Sequence, residues 1–128
     1  MHPFEVVEIP GKTYRSAKDI ERHMEDETEL IRRRCKPGAF LIVLDEKGKQ
    51  FTSLALAEEM KKLLESPAQE VAFVVGGAYG ISPSLKGQAK WVWSLSKLTL
   101  PHQLARVFTL EQIYRALTIL KNIPYHHE

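Results

Sequence analysis

The chain has 128 residues and a mass of 14.6 kDa, which is the size of a single domain. Its 44% hydrophobic and 27% charged residues are typical of a globular protein and exclude a disordered chain. The net charge of +2 conceals a division, because residues 1–70 carry 12 basic and 14 acidic side chains whereas residues 71–128 carry 6 and 2.

Neither a membrane-spanning helix nor a secretory signal is expected. No apolar run approaches the ~18 residues that a span requires, and the start, MHPFEVVEIP, lacks a basic segment followed by an apolar one. The single cysteine, Cys35, cannot form an internal disulfide. These features predict a protein of a reducing compartment, the cytoplasm.

In chain order, residues 4–9 (FEVVEI) alternate in polarity and predict a first strand. Ser16 is predicted to cap a helix that ends near residue 34. The continuously apolar residues 39–44 predict a strand that is buried on both faces of a parallel sheet. Residues 45–48 are then expected to form a turn.

Ser53 is predicted to cap a second helix over residues 54–65. Residues 71–75 (VAFVV) predict another buried strand. The pair Ser82-Pro83 combines a capping residue with proline at the first helical position, and it predicts a short helix to about residue 90.

Residues 91–95 predict a short strand, and residues 102–121 predict the longest helix. The apolar stripe expected on that helix consists of Leu104, Val107, Phe108, Leu117 and Leu120. The alternation of strands and helices predicts one domain of the α/β class with a mostly parallel sheet flanked by helices. Ligands of such folds bind beyond the carboxyl ends of the strands, so the loops after Leu44, Val75 and Leu95 are expected to gather at one edge.

Two of these loops are candidates for a binding site. The segment GGAYG (residues 76–80) allows close approach to the backbone, but it matches neither a dinucleotide fingerprint nor a phosphate-binding loop, and a tight turn is the alternative. The segment LSKLTLPH (residues 95–102) offers leucines that could wall a flat aromatic ligand such as adenine. The alternative for it is a buried connector.

Three charged or aromatic groups follow. Glu111 and Arg115 share a helical face at i,i+4 spacing, either as a site or as a surface ion pair. The tail YHHE (residues 125–128) could stack on a base and donate to phosphates, or it could be a frayed terminus. The arginines at 32–34 suit either a helix C-terminus or RNA. No metal site is predicted, because no cluster has metal-ligand spacing.

The chain contains four ordered motifs, which are FVVGGAYG (73–80), SLSKLTLPHQLARV (94–107), EQIYRA (111–116) and PYHHE (124–128). Together they resemble one family, the bacterial ribosomal RNA large-subunit methyltransferase H family of the SPOUT class. Weaker resemblance extends through LIVLDEKGK (41–49) to FEVVEIP (4–10) and so covers nearly the whole chain.

The resemblance implies a C-terminal trefoil knot, which is an exception to the rule against knots. It divides the single domain into an N-terminal α/β part, residues 1–70, and a knotted cofactor-binding part, residues 71–128. The implied cofactor is S-adenosyl-L-methionine. Its contacts are carried over to Leu44, Gly76, Leu95, Ser96, Lys97, Leu98, Thr99 and Leu100.

The resemblance also implies a homodimer that methylates N3 of a pseudouridine in 23S ribosomal RNA of the assembled ribosome, with no membrane and no metal involved. The implied substrate-side residues are His102, Glu111, Arg115, Tyr125 and His126. Arg115 would orient the RNA, Glu111 would orient Arg115, and the tail with Tyr125 and His126 would come from the partner subunit.

Two departures from the family pattern support alternative hypotheses. The family has a further strand–helix unit before the segment that matches residues 4–10, and it has arginine where this chain has His127. One alternative is therefore a truncated, catalytically silent module that binds the cofactor and the ribosome. The other is an unrelated flavodoxin-like nucleotide-binding protein, which would require the four motif matches to be coincidental.

Overall fold

Three parallel strands with helices on both faces form the fold of the protein in a computed structural model that describes residues 5–7, 16–68, 70–76 and 80–127. The elements in chain order are α1 (Ala17–Arg34), β1 (Phe40–Lys49), α2 (Ser53–Leu64), β2 (Val71–Val75), α3 (Pro83–Gln88), β3 (Trp91–Trp93) and α4 (His102–Leu120). The strand order is β2-β1-β3, and β1 pairs in parallel with both neighbours. The predicted α/β class with a parallel sheet is confirmed.

The central strand is buried on both faces, as its unbroken apolar sequence predicts. Ile42 and Leu44 point into a core shared with α2 and α4, which includes Met60 and Ile113. The alternate residues Leu41 and Val43 enter a second core, formed with residues of α1 and α3 such as Ile31 and Leu85. Because side chains alternate along a strand, one apolar run supplies both cores.

Side-chain caps set three helix starts. The Ser16 hydroxyl accepts the Asp19 N–H at 3.2 Å, and the Ser82 hydroxyl accepts the Leu85 N–H at 3.2 Å, both at the predicted positions. The predicted cap of α2 at Ser53 is wrong by one residue. Thr52 is the cap, because its hydroxyl accepts the Ala55 N–H at 3.1 Å.

Buried hydroxyls join α1 to α3. The Thr28 hydroxyl lies 2.8 Å from the Met24 carbonyl and 2.6 Å from the Ser82 hydroxyl. Arg32 of α1 also donates to Ser84 at 2.7 Å and to Gln88 at 3.1 Å, so one of the three arginines at the helix end contacts α3.

The expected turn over residues 45–48 is wrong, because β1 continues to Lys49. Leu44 and Lys49 are both in register with Trp93, so the chain between them leaves the ladder and returns to the same neighbour. The Ser94 N–H donates to the Lys49 carbonyl at 2.9 Å. A Cβ on Gly48 would lie 2.5 Å from the Val92 carbonyl oxygen, so the return requires glycine. We refer to residues 45–48 as the β1 excursion.

The first predicted strand is not present where the structure describes it. Residues 5–7 are exposed and carry no strand, while positions 4, 8 and 9 of that prediction lie outside the described residues. The strand predicted over residues 91–95 ends at Trp93, because the chain turns there through a hydrogen bond from the Ser94 hydroxyl to the Ser96 carbonyl at 2.9 Å.

The apolar stripe expected on α4 is wrong at three of its five residues. Leu117 and Leu120 pack against the core, but Leu104, Val107 and Phe108 are exposed. The face that meets the core instead carries Thr109, Ile113 and Ala116. Within the described chain, no helix combines the length and hydropathy needed to cross a membrane.

Candidate functional site

A cavity of about 450 Å³ lies beyond the carboxyl ends of the three strands. The loops after the strands and the first turn of α4 enclose it, as expected for a parallel α/β sheet. We call it the strand-end cavity. Its lining includes all the predicted cofactor residues except Lys97, which is exposed; these are Leu44, Gly76, Leu95, Ser96, Leu98, Thr99 and Leu100.

The floor of the strand-end cavity has room for backbone but not for a side chain at Gly76. A Cβ built there would lie 2.7 Å from Cγ1 of Ile81 and 3.0 Å from the Gly80 carbonyl carbon. Gly80 has a positive φ of 82°, a conformation that favours glycine. Positions 77–79 of the predicted glycine loop lie outside the described residues.

Hydroxyls shape the loop between β3 and α4. The Leu98 N–H donates to the Ser96 hydroxyl at 3.0 Å, and the Thr99 hydroxyl donates to the Glu46 carboxylate at 2.9 Å. These bonds hold the loop and tie it to the β1 excursion across the cavity. Leu98 lines the cavity while 74% exposed, so an apolar side chain stands at the entrance.

Arg115 is the centre of a second group of predicted residues, the Arg115 cluster. Its guanidinium donates from Nε to Glu111 Oε1 at 2.7 Å and from Nη2 to Oε2 at 3.3 Å. Nη1 lies 3.0 Å from Nδ1 of His126, and the guanidinium carbon lies 4.8 Å from the centre of the Tyr125 ring. The structure therefore brings Glu111, Arg115, Tyr125 and His126 together.

The end of α4 places the tail against Arg115. Asn122 adopts a positive φ of 56°, which asparagine tolerates better than most residues. The Ile123 N–H then donates to the Thr118 carbonyl at 2.9 Å, and the Asn122 N–H donates to Ile119 at 3.2 Å. This pair of bonds is the Schellman arrangement, and it turns the chain back beside the helix.

Two electrostatic consequences follow for the Arg115 cluster. The hydrogen bonds that Arg115 donates to Glu111 raise the pKa of its guanidinium, which stays a cation. A guanidinium only donates, so Nδ1 of His126 accepts and a neutral imidazole carries its proton on Nε2. Glu111 balances the charge of Arg115, so the cluster presents the remaining guanidinium N–H donors to a carbonyl or a phosphate.

One chain does not bring His102 and Arg115 together. His102 lines the cavity, and Arg115 lies thirteen residues further along α4. At about 1.5 Å per residue, roughly 20 Å of helix separates them. His102 is thus placed with the cofactor candidates and apart from the other substrate-side candidates.

Sequence reasoning missed Asp45, Glu46, Val75, Trp93, Pro101 and Ala105 as lining residues. The two acids could have been found, because they directly follow a strand end that was predicted to face the site. Asp45 pairs with Lys86 of α3 at 3.4 Å. No group of three metal-ligating side chains occurs among the residues that the structure describes.

Comparison with known proteins shows that the chain is similar to one family of methyltransferases. The family model described as "Predicted SPOUT methyltransferase" matches residues 1–126. A "Ribosomal RNA large subunit methyltransferase H" of Parabacteroides distasonis is 44% identical over 127 residues, which are 98% of this chain and 80% of the relative. A protein of the same name in Hydrogenovibrio crunogenus is 45% identical over 96% of this chain and 78% of the relative. Another in Methylobacillus flagellatus is 44% identical over 97% of this chain and 79% of the relative.

Proposed function

The chain belongs to the SPOUT methyltransferases and, within them, to the ribosomal RNA large subunit methyltransferase H family, and from this premise we propose that it methylates N3 of a pseudouridine in 23S ribosomal RNA. The observation that carries the proposal is the strand-end cavity, where the loop residues implied by the family motifs line one space. A catalytically silent module is the alternative, and the names of the relatives do not favour it.

The strand-end cavity suits S-adenosyl-L-methionine. Its volume of about 450 Å³ is within the range of small-molecule sites. Leu44, Leu95 and Leu100 supply apolar walls for the adenine, and the approach at Gly76 leaves backbone groups accessible. The cofactor, when bound, supplies a methyl group already activated on a sulfonium.

The residues of the chain then act by positioning. Holding N3 in line with the methyl group can lower the activation free energy by several kcal/mol. Arg115, fixed by both oxygens of Glu111, would hold the pseudouridine carbonyls or the RNA backbone. The weakly acidic N3–H proton would leave to water or to a nearby base.

A homodimer would bring the two groups of residues together. Leu104, Val107, Phe108 and Tyr114 are exposed and lie on one face of α4, and we call them the α4 stripe. Helical spacing places Glu111 and Arg115 on that same face. Two α4 stripes packed antiparallel about a twofold axis near Phe108 would set the Arg115 cluster of one subunit beside the strand-end cavity of the other.

The knot and the cellular setting complete the proposal. The segment from β2 to α4 would form the trefoil knot, with the loops at the strand-end cavity as its crossings.

The RNA partner is supported by the basic C-terminal half, with 6 basic and 2 acidic residues. Action on assembled ribosomes would place the protein in the cytoplasm, where the shape of the RNA supplies specificity.

Substitution of Arg115 tests the proposal. Arg115→Ala should abolish methyl transfer to ribosomes from a strain that lacks the gene, while calorimetry shows unchanged binding of S-adenosyl-L-methionine. The matched control is Arg33→Ala, because Arg33 is exposed at the end of α1, and it should transfer normally. Mass spectrometry of the 23S RNA identifies the methylated base. A wild-type protein that leaves the pseudouridine unmethylated would support the silent module.

A further inference from the structure

The lining of the strand-end cavity carries formal charge of one sign. The charged side chains among its lining residues are Asp45 and Glu46, on the β1 excursion. Asp45 is compensated by Lys86 at 3.4 Å. Glu46 makes no ion pair within the described ranges, and its contact is the neutral Thr99 hydroxyl at 2.9 Å. One negative charge is therefore left uncompensated at the cavity.

Glu46 is exposed to solvent where it lines the cavity, so its charge acts on a ligand at short range. The Thr99 hydrogen bond holds Oε2 against the loop that closes the cavity. Charges interact over about 8 Å at physiological salt, so a cationic group that the cavity holds within that distance of Oε2 is attracted to the carboxylate.

The cofactor and the product differ in charge at one atom. When the methyl group moves to N3, the carbon–sulfur bond breaks, its electron pair stays on sulfur, and the N3 proton leaves to water. The sulfonium thereby becomes a neutral thioether, while the adenosine and amino-acid parts are unchanged. A fixed negative charge at the cavity distinguishes these two ligands, whereas apolar walls do not.

We propose that Glu46 is a specificity-determining residue that favours the sulfonium cofactor over the neutral product S-adenosylhomocysteine. The proposal rests on the proposed function, because it takes the strand-end cavity as the cofactor site. Its consequence is that methyl transfer removes the attraction between ligand and carboxylate, so that the reaction itself promotes product release.

Calorimetry with both ligands tests the proposal on the full chain. Glu46→Gln keeps an acceptor for Thr99 but removes the charge. The preference for S-adenosyl-L-methionine over S-adenosylhomocysteine should fall by about twofold to fivefold, mainly through weaker binding of the cofactor. Thr99→Val keeps the charge but frees the carboxylate from the loop, so the preference should fall by less than in Glu46→Gln. Glu58→Gln on the exposed surface of α2 is the control and should change the binding of neither ligand.

An unchanged preference in a folded Glu46→Gln protein would overturn the proposal. The salt dependence of the wild-type protein gives a second measurement that needs no variant, since the preference should shrink as sodium chloride rises. A preference that is constant across salt would also count against it. Failure of the wild-type protein to bind either ligand would instead overturn the cofactor site of the proposed function.

Discussion

Arg115 and Cys35 are two titratable side chains whose pKa values are both raised, which favours the charged form of the first and the neutral form of the second. Arg115 donates two hydrogen bonds to the Glu111 carboxylate, which stabilise the charged form. Burial, together with the Glu70 carboxylate, raises the pKa of the Cys35 thiol, which favours the neutral form. Thiolates are the reactive species, so the raised pKa makes Cys35 less reactive than an unperturbed thiol near neutral pH.

The thiol of Cys35 should therefore react at a higher pH in the folded protein than in the unfolded one. The unfolded chain ionises first, so the folded state loses stability as pH rises between the two pKa values. Alkylation by iodoacetamide, followed by mass spectrometry across alkaline pH, measures the inflection in native buffer and in urea. Glu70→Gln should move the native inflection to lower pH, since it removes the charge and retains an acceptor for the Lys36 N–H.

Glu65→Gln provides the control for that experiment, because Glu65 is exposed at the end of α2 and should leave the inflection unchanged. Restricted access would slow alkylation equally at every pH without moving the inflection. Coincident inflections for native and unfolded protein would contradict the burial of the thiol.

The Arg115 cluster shows what sequence can and cannot predict about single residues. The i,i+4 spacing of Glu111 and Arg115 predicts their contact, because helix geometry alone brings them together. The approach of His126 depends on the reversal at Asn122, which sequence spacing does not encode. Glu46 could have been found beside its strand end, whereas its hydrogen bond to Thr99 depends on how the β1 excursion returns to the sheet.

At the scale of elements, local signals located the helices and the buried strands. Capping residues and apolar runs act over a few residues, so Ser16, Ser82 and the run at 39–44 were sufficient to predict α1, α3 and the first half of β1. The errors arose where contacts between residues far apart in sequence determine the structure. The extension of β1 to Lys49 is set by Trp93, and the inward face of α4 is set by packing on α2.

The hydroxyl contact between α1 and α3 should contribute measurably to stability. Because the Thr28 hydroxyl donates to the Met24 carbonyl, the Ser82 hydroxyl must donate to Thr28. Thr28→Val would leave the Ser82 donor buried without an acceptor, at a cost of about 1–3 kcal/mol. Urea denaturation measures the change in the free energy of unfolding.

Thr109→Val is the matched control for Thr28→Val. Thr109 is also buried in a helix, and its hydroxyl donates to the carbonyl four residues earlier, Ala105, at 2.7 Å. Valine there removes a hydroxyl without removing the acceptor of a hydroxyl on another helix. Equal destabilisation by the two substitutions would show that the contact with Ser82 contributes nothing.

At the scale of the whole molecule, the α4 stripe gives the proposed dimer a testable interface. Leu104→Asp places a charge on the stripe and should convert a dimer to monomers in size-exclusion chromatography with light scattering. Leu54→Asp on α2 is a matched control, because Leu54 is 48% exposed and Leu104 is 49% exposed. Loss of the dimer with both substitutions, or with neither, would contradict an interface formed by the stripe.

The β1 excursion has a consequence for how such enzymes can diverge. Both of its ends are anchored opposite the same residue, Trp93, so residues can be exchanged or inserted between them without shifting the strand register. The acids that line the strand-end cavity lie within this insert. Ligand preference can therefore evolve, or be engineered, separately from the stability of the sheet.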